Sequence, residues 1–304
     1  MLEIRLLGPL FVEYMDSSIM VSATKPRTIL ALLAANANTV VPLSALITEL
    51  WGTSAPPSAR AVVQTYVLQL RKQAAKALQG RVPDPGRTAR QLLRTEPGGY
   101  MLAAEDACVD MWNFDRLSTT GHRERESGDL KAASRSFSDA LSWWRGGPLL
   151  DVQVGPTLNS YVKRLEEAHL NVLDRRIEVD LRLGRHYELL GELTALVNRY
   201  ETHEGLCAHL MLALYRSGRR SEALETYRTV RTRMVERLAL EPSPALRRLH
   251  RSMLATDRVP GDLTDTWRAT VASPRRASPI PVDLAATSWD IHPEVPAEAT
   301  VRGA

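Results

Sequence analysis

Apolar and polar residues alternate at the start of the chain. Leu2, Ile4 and Leu6 are interleaved with Glu3 and Arg5, the period of a half-buried strand. Gly8-Pro9 interrupts the run and Leu10-Phe11-Val12 resumes it, while Asp16-Ser17-Ser18 suits a hairpin turn before Ile19-Met20-Val21. The period then changes. Thr24 is placed to cap a helix with Pro26 in its first turn and Ile29, Leu30, Leu32 and Leu33 inward. Asn36-Ala37-Asn38 ends that helix, and Thr39-Val40-Val41 reads as a short extended piece. Ser44 to Trp51 predicts a second short helix, stopped by Gly52. After the loop Thr53-Ser54-Ala55-Pro56-Pro57, Ser58 is placed to cap a longer helix reaching about Leu78. Val63, Val67, Leu70 and Ala74 form its single apolar stripe. Residues 80–90 are polar with two prolines and predict a loop. Leu92 to Leu102 predicts a hairpin turning at Glu96-Pro97-Gly98-Gly99.

Strands, three helices and a closing hairpin are the order of a winged helix-turn-helix, with the third helix in the reading position and the hairpin as wing. From Asp110 to about Asp257 the pattern is a run of amphipathic helices with internal similarity. Gly128, Ala133 and Phe137 recur as Gly218, Ala223 and Tyr227, and Gly184 opens a weaker copy. Gly184 to Gly218 is 34 residues, the length of one tetratricopeptide (TPR) repeat, whose small residues let paired helices approach closely. The expected fold is therefore mostly α with small β. A winged domain over 1–105 is followed by a TPR-like all-α domain over 106–257. Residues 258–304, with six prolines and isolated Trp267 and Trp289, predict a disordered tail.

Charge sharpens this picture. The net charge is +4, but Arg60 to Arg94 carries eight basic residues and one acid, Asp84. No acidic residue occurs from Ser58 to Val82. Opposite the apolar stripe of the long helix lie Ala61, Thr65, Leu68, Gln69, Lys72 and Lys76, flanked by Arg60, Gln64 and Arg71. Amide and cationic groups of this kind read base edges and hold phosphates; a solvated surface is the alternative reading of the charge.

The stretch from Arg60 to Lys72, Arg-Ala-Val-Val-Gln-Thr-Tyr-Val-Leu-Gln-Leu-Arg-Lys, followed by Pro97-Gly98-Gly99-Tyr100, resembles OmpR-type winged helices. An N-terminal winged helix ahead of a helical domain containing Leu240-Glu241-Pro242-Ser243-Pro244-Ala245-Leu246 resembles the Streptomyces antibiotic regulatory protein (SARP) family. The resemblance implies an OmpR-type winged helix followed by a bacterial transcriptional activation domain. It implies a transcriptional activator that binds direct repeats near the −35 region of promoters in a biosynthetic cluster. It also implies paired protomers on double-stranded DNA and recruitment of RNA polymerase through sigma and other subunits. On this reading Thr65, Gln69 and Lys72 face the major-groove floor, and Arg60, Gln64, Arg71 and Lys76 its walls. Arg94 is the wing contact, although Glu96 stands where many relatives are basic. Lys25 and Arg27 open the first helix near a phosphate. Thr53, Ser54, Ala55, Pro56 and Pro57 form the loop that touches polymerase in OmpR-type activators.

Other chemistry finds little support. Cys108 and Cys207 have no partner spacing, and the seven histidines form no ligand set, so they are expected as scattered surface residues. Trp112, Trp143 and Trp144 are expected in the core. No nucleophile elbow or phosphate-binding loop is present, so neither an enzyme nor a cofactor is expected. No apolar run is long enough for a membrane span and the N-terminus lacks a signal-peptide plan, which predicts a cytoplasmic chain. The alternative function is a TPR-like module that binds a peptide or small effector and thereby switches DNA binding.

Overall fold

A computed structural model describes residues 1–105 and 107–255. The predicted tail, with Trp267 and Trp289, lies outside the described residues. The chain begins with β1 (Leu2–Arg5), β2 (Phe11–Tyr14) and β3 (Ser17–Ser18). β2 lies between β1 and β3 with Ile4 opposite Val12 and Glu13 opposite Ser18. The turn falls at Met15-Asp16, where both residues have positive φ, one residue earlier than predicted. Ile19 to Val21 lies beyond β3 rather than in a strand. Helices α1 (Thr24–Ala35), α2 (Leu43–Trp51) and α3 (Ala59–Ala77) follow, with β4 (Val41–Pro42) between the first two. Thr24 is the first helical residue of α1 rather than its cap, and neither α1 nor α3 has a side chain at its N-cap, Ala23 or Ser58, that accepts a capping hydrogen bond. Val63, Val67, Leu70 and Ala74 are buried as the stripe predicts.

The predicted loop at 80–90 holds only through Asp84; from Pro85 the chain is instead helix α4 (Pro85–Leu92). Asp84 caps it by accepting from the Arg87 N–H at 2.8 Å, and Pro85 occupies a first-turn position that needs no N–H donor. The wing is β5 (Leu93–Glu96) and β6 (Gly99–Leu102), joined by Pro97-Gly98 with positive φ at Gly98. β4, β6 and β5 form a three-stranded sheet in that order. Gly99 has to be glycine because a Cβ there would overlap the carbonyl of Val41 on β4.

The helical domain does not start cleanly after residue 105. β7 (Ala107–Val109) pairs parallel with β1 and completes the four-stranded sheet β3-β2-β1-β7. Helices then pair antiparallel: α5 (Asp110–Ser127) with α6 (Leu130–Ser142), α7 (Pro156–Arg182) with α8 (His186–Arg199), and α9 (Glu204–Arg216) with α10 (Arg220–Leu238), before α11 (Pro244–Ala255). Gly128, Gly184 and Gly218 all sit at these turns with positive φ of 89°, 82° and 77°. The residues five and nine positions later, Ala133/Phe137, Leu189/Leu193 and Ala223/Tyr227, are all buried. The repeat read from the sequence is thus a repeat of helix hairpins.

A shared core joins the two regions. Leu6, Ile29, Leu46 and Val67 belong to the same buried cluster as Phe114, Phe137, Leu158 and Tyr161. Within it, Asp110 accepts from the Leu6, Leu7 and Met111 N–H groups, each at 2.8 Å. Burial pushes the Asp110 carboxyl up, while those donors and Arg145 at 3.6 Å pull it back. Glu49 on α2, 4% exposed, reaches across to the start of α7. It accepts from the N–H groups of Gly155 (2.5 Å), Thr157 (2.9 Å) and Leu158 (3.3 Å). One domain thereby caps a helix of the other. A Cβ at Gly155 would overlap the Glu49 backbone carbonyl.

Two outcomes follow from this junction. Glu49→Ala leaves three amides without their acceptor and is expected to lower unfolding stability by about 2 kcal/mol, with Glu49→Gln intermediate, as read from urea midpoints. On α5, burial pushes the Asp115 carboxyl up to about 6. The folded chain therefore holds that proton more tightly than the unfolded chain, and the resulting stabilisation is lost as pH rises from about 4 through 6. The stability difference between Asp115→Asn and the parent should move in favour of the variant over that interval and level off above it.

Candidate nucleic-acid interface

Helix α3 is held by its apolar stripe against α1 and α2, which turns the opposite face outward. Arg60, Ala61, Gln64, Thr65, Leu68, Lys72 and Lys76 are exposed on it, and Gln69 is half-exposed. Among the described residues no carboxylate pairs with Arg60, Lys72 or Lys76. From Arg60 to Lys76 the face runs about 24 Å at 1.5 Å per residue, a length that suits a groove. The Thr65 hydroxyl donates to the Ala61 carbonyl one turn back at 3.0 Å, which occupies its proton within the helix.

Four cations expected at the interface are engaged by the protein itself. Arg71 donates to the Leu93 carbonyl from Nε (3.0 Å) and from a terminal nitrogen (2.7 Å), and also to the Thr95 hydroxyl at 2.7 Å. Its burial pulls the guanidinium below its ordinary value. Arg71 thus bolts α3 to the wing. Arg27 donates to the Val21 and Leu10 carbonyls at 2.9 Å and pairs with Asp151 of the helical domain. It serves the junction rather than an open surface. Arg94 folds back onto the Gln91 carbonyl at 3.1 Å and lies 3.4 Å from Glu105, leaving the wing tip with Glu96. Lys25 rests over the Trp51 ring at 4.7 Å, beside the end of α2. The loop after α2 exposes Thr53, Ser54, Ala55 and Pro57, with Pro56 half-buried. Backbone bonds from Ser54 to Trp51 and from Ala59 to Pro56 fix its two ends.

Sequence reading missed Glu49, Asp110, Arg145 and Asp151 as residues that orient the interface. Their partners are distant in the chain, and no local signal marks them. Asp84-Pro85 did carry a cap signal, which the prolines of the segment obscured.

The helical domain differs from expectation in its histidines. His209 is buried and its Nε2 lies 2.9 Å from Asp174 Oδ1, which holds that carboxyl below its usual value. His122 and His169 pack on the Phe137 and Trp144 rings, where burial pushes both below the ordinary histidine value. No metal-ligating cluster occurs among the described residues. Trp143 and Trp144 pack against the core, whereas Trp112 is 38% exposed. A cleft of about 410 Å³ between α10 and α11 is lined by Tyr227, Pro244, Arg247, His250 and Arg251. No described helix is long and apolar enough to cross a membrane.

Comparison with known proteins places this geometry. Residues 20–101 match the model described as "Transcriptional regulatory protein, C terminal", and residues 109–254 match "Bacterial transcriptional activator domain". The chain is 45% identical over 256 residues to the regulatory protein DnrI of Streptomyces peucetius, covering 84% of this chain and 93% of that one. It is 34% identical to the transcriptional regulator RedD of Streptomyces coelicolor, covering 88% and 74% respectively. Among solved structures, Mycobacterium tuberculosis EmbR in complex with a low-affinity phosphopeptide superposes with a TM-score of 0.76 at 32% identity, over 88% of this chain and 68% of that one.

The geometry separates two kinds of basic residue on α3. Alanine at Arg60, Lys72 or Lys76 should leave the melting temperature unchanged and lower the slope of log affinity against log salt by about one each. Arg71→Ala should instead accelerate amide exchange across residues 93–102 and weaken binding to all DNA sequences, with little change in slope.

Proposed function

The chain belongs to the Streptomyces antibiotic regulatory protein family of transcriptional activators, and from this premise we propose that it binds direct repeats near the −35 region of its target promoters. The family is one of regulators, not enzymes. One protomer occupies each repeat, so two copies lie side by side on one face of the duplex. Each inserts α3 into the major groove. Gln69 reads a base edge, with an amide geometry that suits adenine. Arg60, Gln64, Lys72 and Lys76 hold phosphates or flanking edges, and Arg71 acts by holding the wing against the reading helix. Lys25 and Arg94 lie at the edge of the contact. The loop Thr53–Pro57 faces RNA polymerase and its sigma subunit. Activation needs positioning only: the bound protein adds contacts that hold polymerase on a weak promoter. The target genes form a biosynthetic cluster, and the protein works in the cytoplasm.

The observation that carries this reading is the acid-free outer face of α3, where Arg60, Lys72 and Lys76 are exposed and pair with no carboxylate among the described residues while the inner face is locked into the core. A merely solvated helix of this length ordinarily mixes both signs of charge.

The test is a footprint of the purified chain over the upstream regions of neighbouring genes across a salt series. Paired protections about one helical turn apart, overlapping the −35 element and persisting at physiological salt, are expected. Diffuse protection that vanishes with salt would overturn sequence-specific binding. Gln69→Ala should relax preference at one base pair by about 1–3 kcal/mol. Replacing Thr53–Pro57 by a glycine-serine loop should preserve the footprint and abolish activation in reconstituted transcription.

A further inference from the structure

The outer face of α3 carries one feature that phosphate binding does not require. Leu68, in the middle of the helix, is 51% exposed. Positions 61, 65, 68 and 72 follow at intervals of four, three and four, so Ala61, Thr65, Leu68 and Lys72 form one row along the outer face. Thr65 has turned its hydroxyl onto the Ala61 carbonyl, so that donor is not offered to a base and the residue adds a methyl group to the row. The row is therefore an apolar track, with Gln64 and Gln69 alongside it and cations at both ends. A single exposed leucine elsewhere on a surface would mean nothing. Here it sits at the centre of the reading face, next to the glutamine assigned to a base edge.

In the major groove, thymine alone among the four bases presents a methyl group. We propose that Leu68, supported by the Thr65 methyl and Ala61, is a specificity-determining residue that reads the 5-methyl of a thymine. The inference rests on the DNA-binding reading above and goes beyond it by naming a base and the atom recognised. Selectivity has two sources. Contact removes the leucine and the thymine methyl from water together. A cytosine in that place would offer an amino donor to a side chain that cannot accept it.

The experiment uses the full chain and a duplex selected from a random pool of double-stranded DNA. Each thymine is replaced in turn by deoxyuridine, which removes the methyl and leaves base pairing intact. Affinity is read by fluorescence anisotropy at one salt concentration. At one or two thymines the loss is expected to be about fourfold, the factor for withdrawing one methyl group from an apolar contact. Leu68→Ala should bind the thymine duplex more weakly by a similar factor and become indifferent to deoxyuridine at that place. Leu68→Met, which keeps an apolar side chain, should retain the sensitivity. Leu68→Ala is expected to melt with the parent, since the side chain stands outside the core; if it does not, the methionine variant decides. A selected duplex at which no thymine responds, or a Leu68→Ala variant as sensitive as the parent, overturns the inference and leaves the DNA-binding reading standing. Failure to select any duplex overturns both.

Discussion

Glu49 and Asp110 put carboxylates inside an apolar junction, and the rest of the structure depends on their being satisfied there. An unpaired buried carboxylate is costly. Each is tolerated because backbone N–H groups from the other side of the junction converge on it: Leu6 and Leu7 on Asp110, and the first turn of α7 on Glu49. These bonds fix direction as well as distance. Together with β7 pairing onto β1 and a core cluster that runs through both regions, they make the winged helix and the first helix hairpins one packed unit.

That unit has a consequence for DNA. A winged helix on a loose linker samples many orientations, whereas here the position of α3 fixes where the helical stack stands. The stack itself is a simple repeat. Glycines with positive φ turn each hairpin, and a pair of buried residues four apart fills each interface, alanine with an aromatic in the first and third hairpins and two leucines in the second. On the direct repeats proposed above, two protomers would present their helical domains in a constant relation set by the repeat spacing.

The basic residues show how the same side chain takes different work according to its surroundings. Arg60 and Lys72 are exposed on α3, on its flank and its outer row respectively, with no carboxylate paired to them among the described residues. Arg71 is adjacent in sequence to Lys72, yet it donates to the carbonyl of Leu93 and joins helix to wing. Arg27 resembles Lys25 in the sequence and ends as a bridge to Asp151. Arginine suits both bridging sites, since its planar fork satisfies two acceptors at once.

Most of the secondary structure was legible in the chain. The 3.6-residue stripe of α3, the Pro-Gly turn of the wing and the recurrence of Gly128, Gly184 and Gly218 are local signals, complete within one or two turns of backbone. The outward composition of α3 was legible for the same reason, because burial of Val63, Val67, Leu70 and Ala74 dictates what faces away. Helix α4 went unread where prolines masked the Asp84 cap, and β7 where three residues carry too little pattern. Tertiary structure alone decided which cations remain free and which residues align the two domains. Arg27 meets Asp151 across 124 residues and Glu49 meets Leu158 across 109. Periodicity along a chain reaches only as far as the next turns of the same element, so partners chosen across such separations are set by packing.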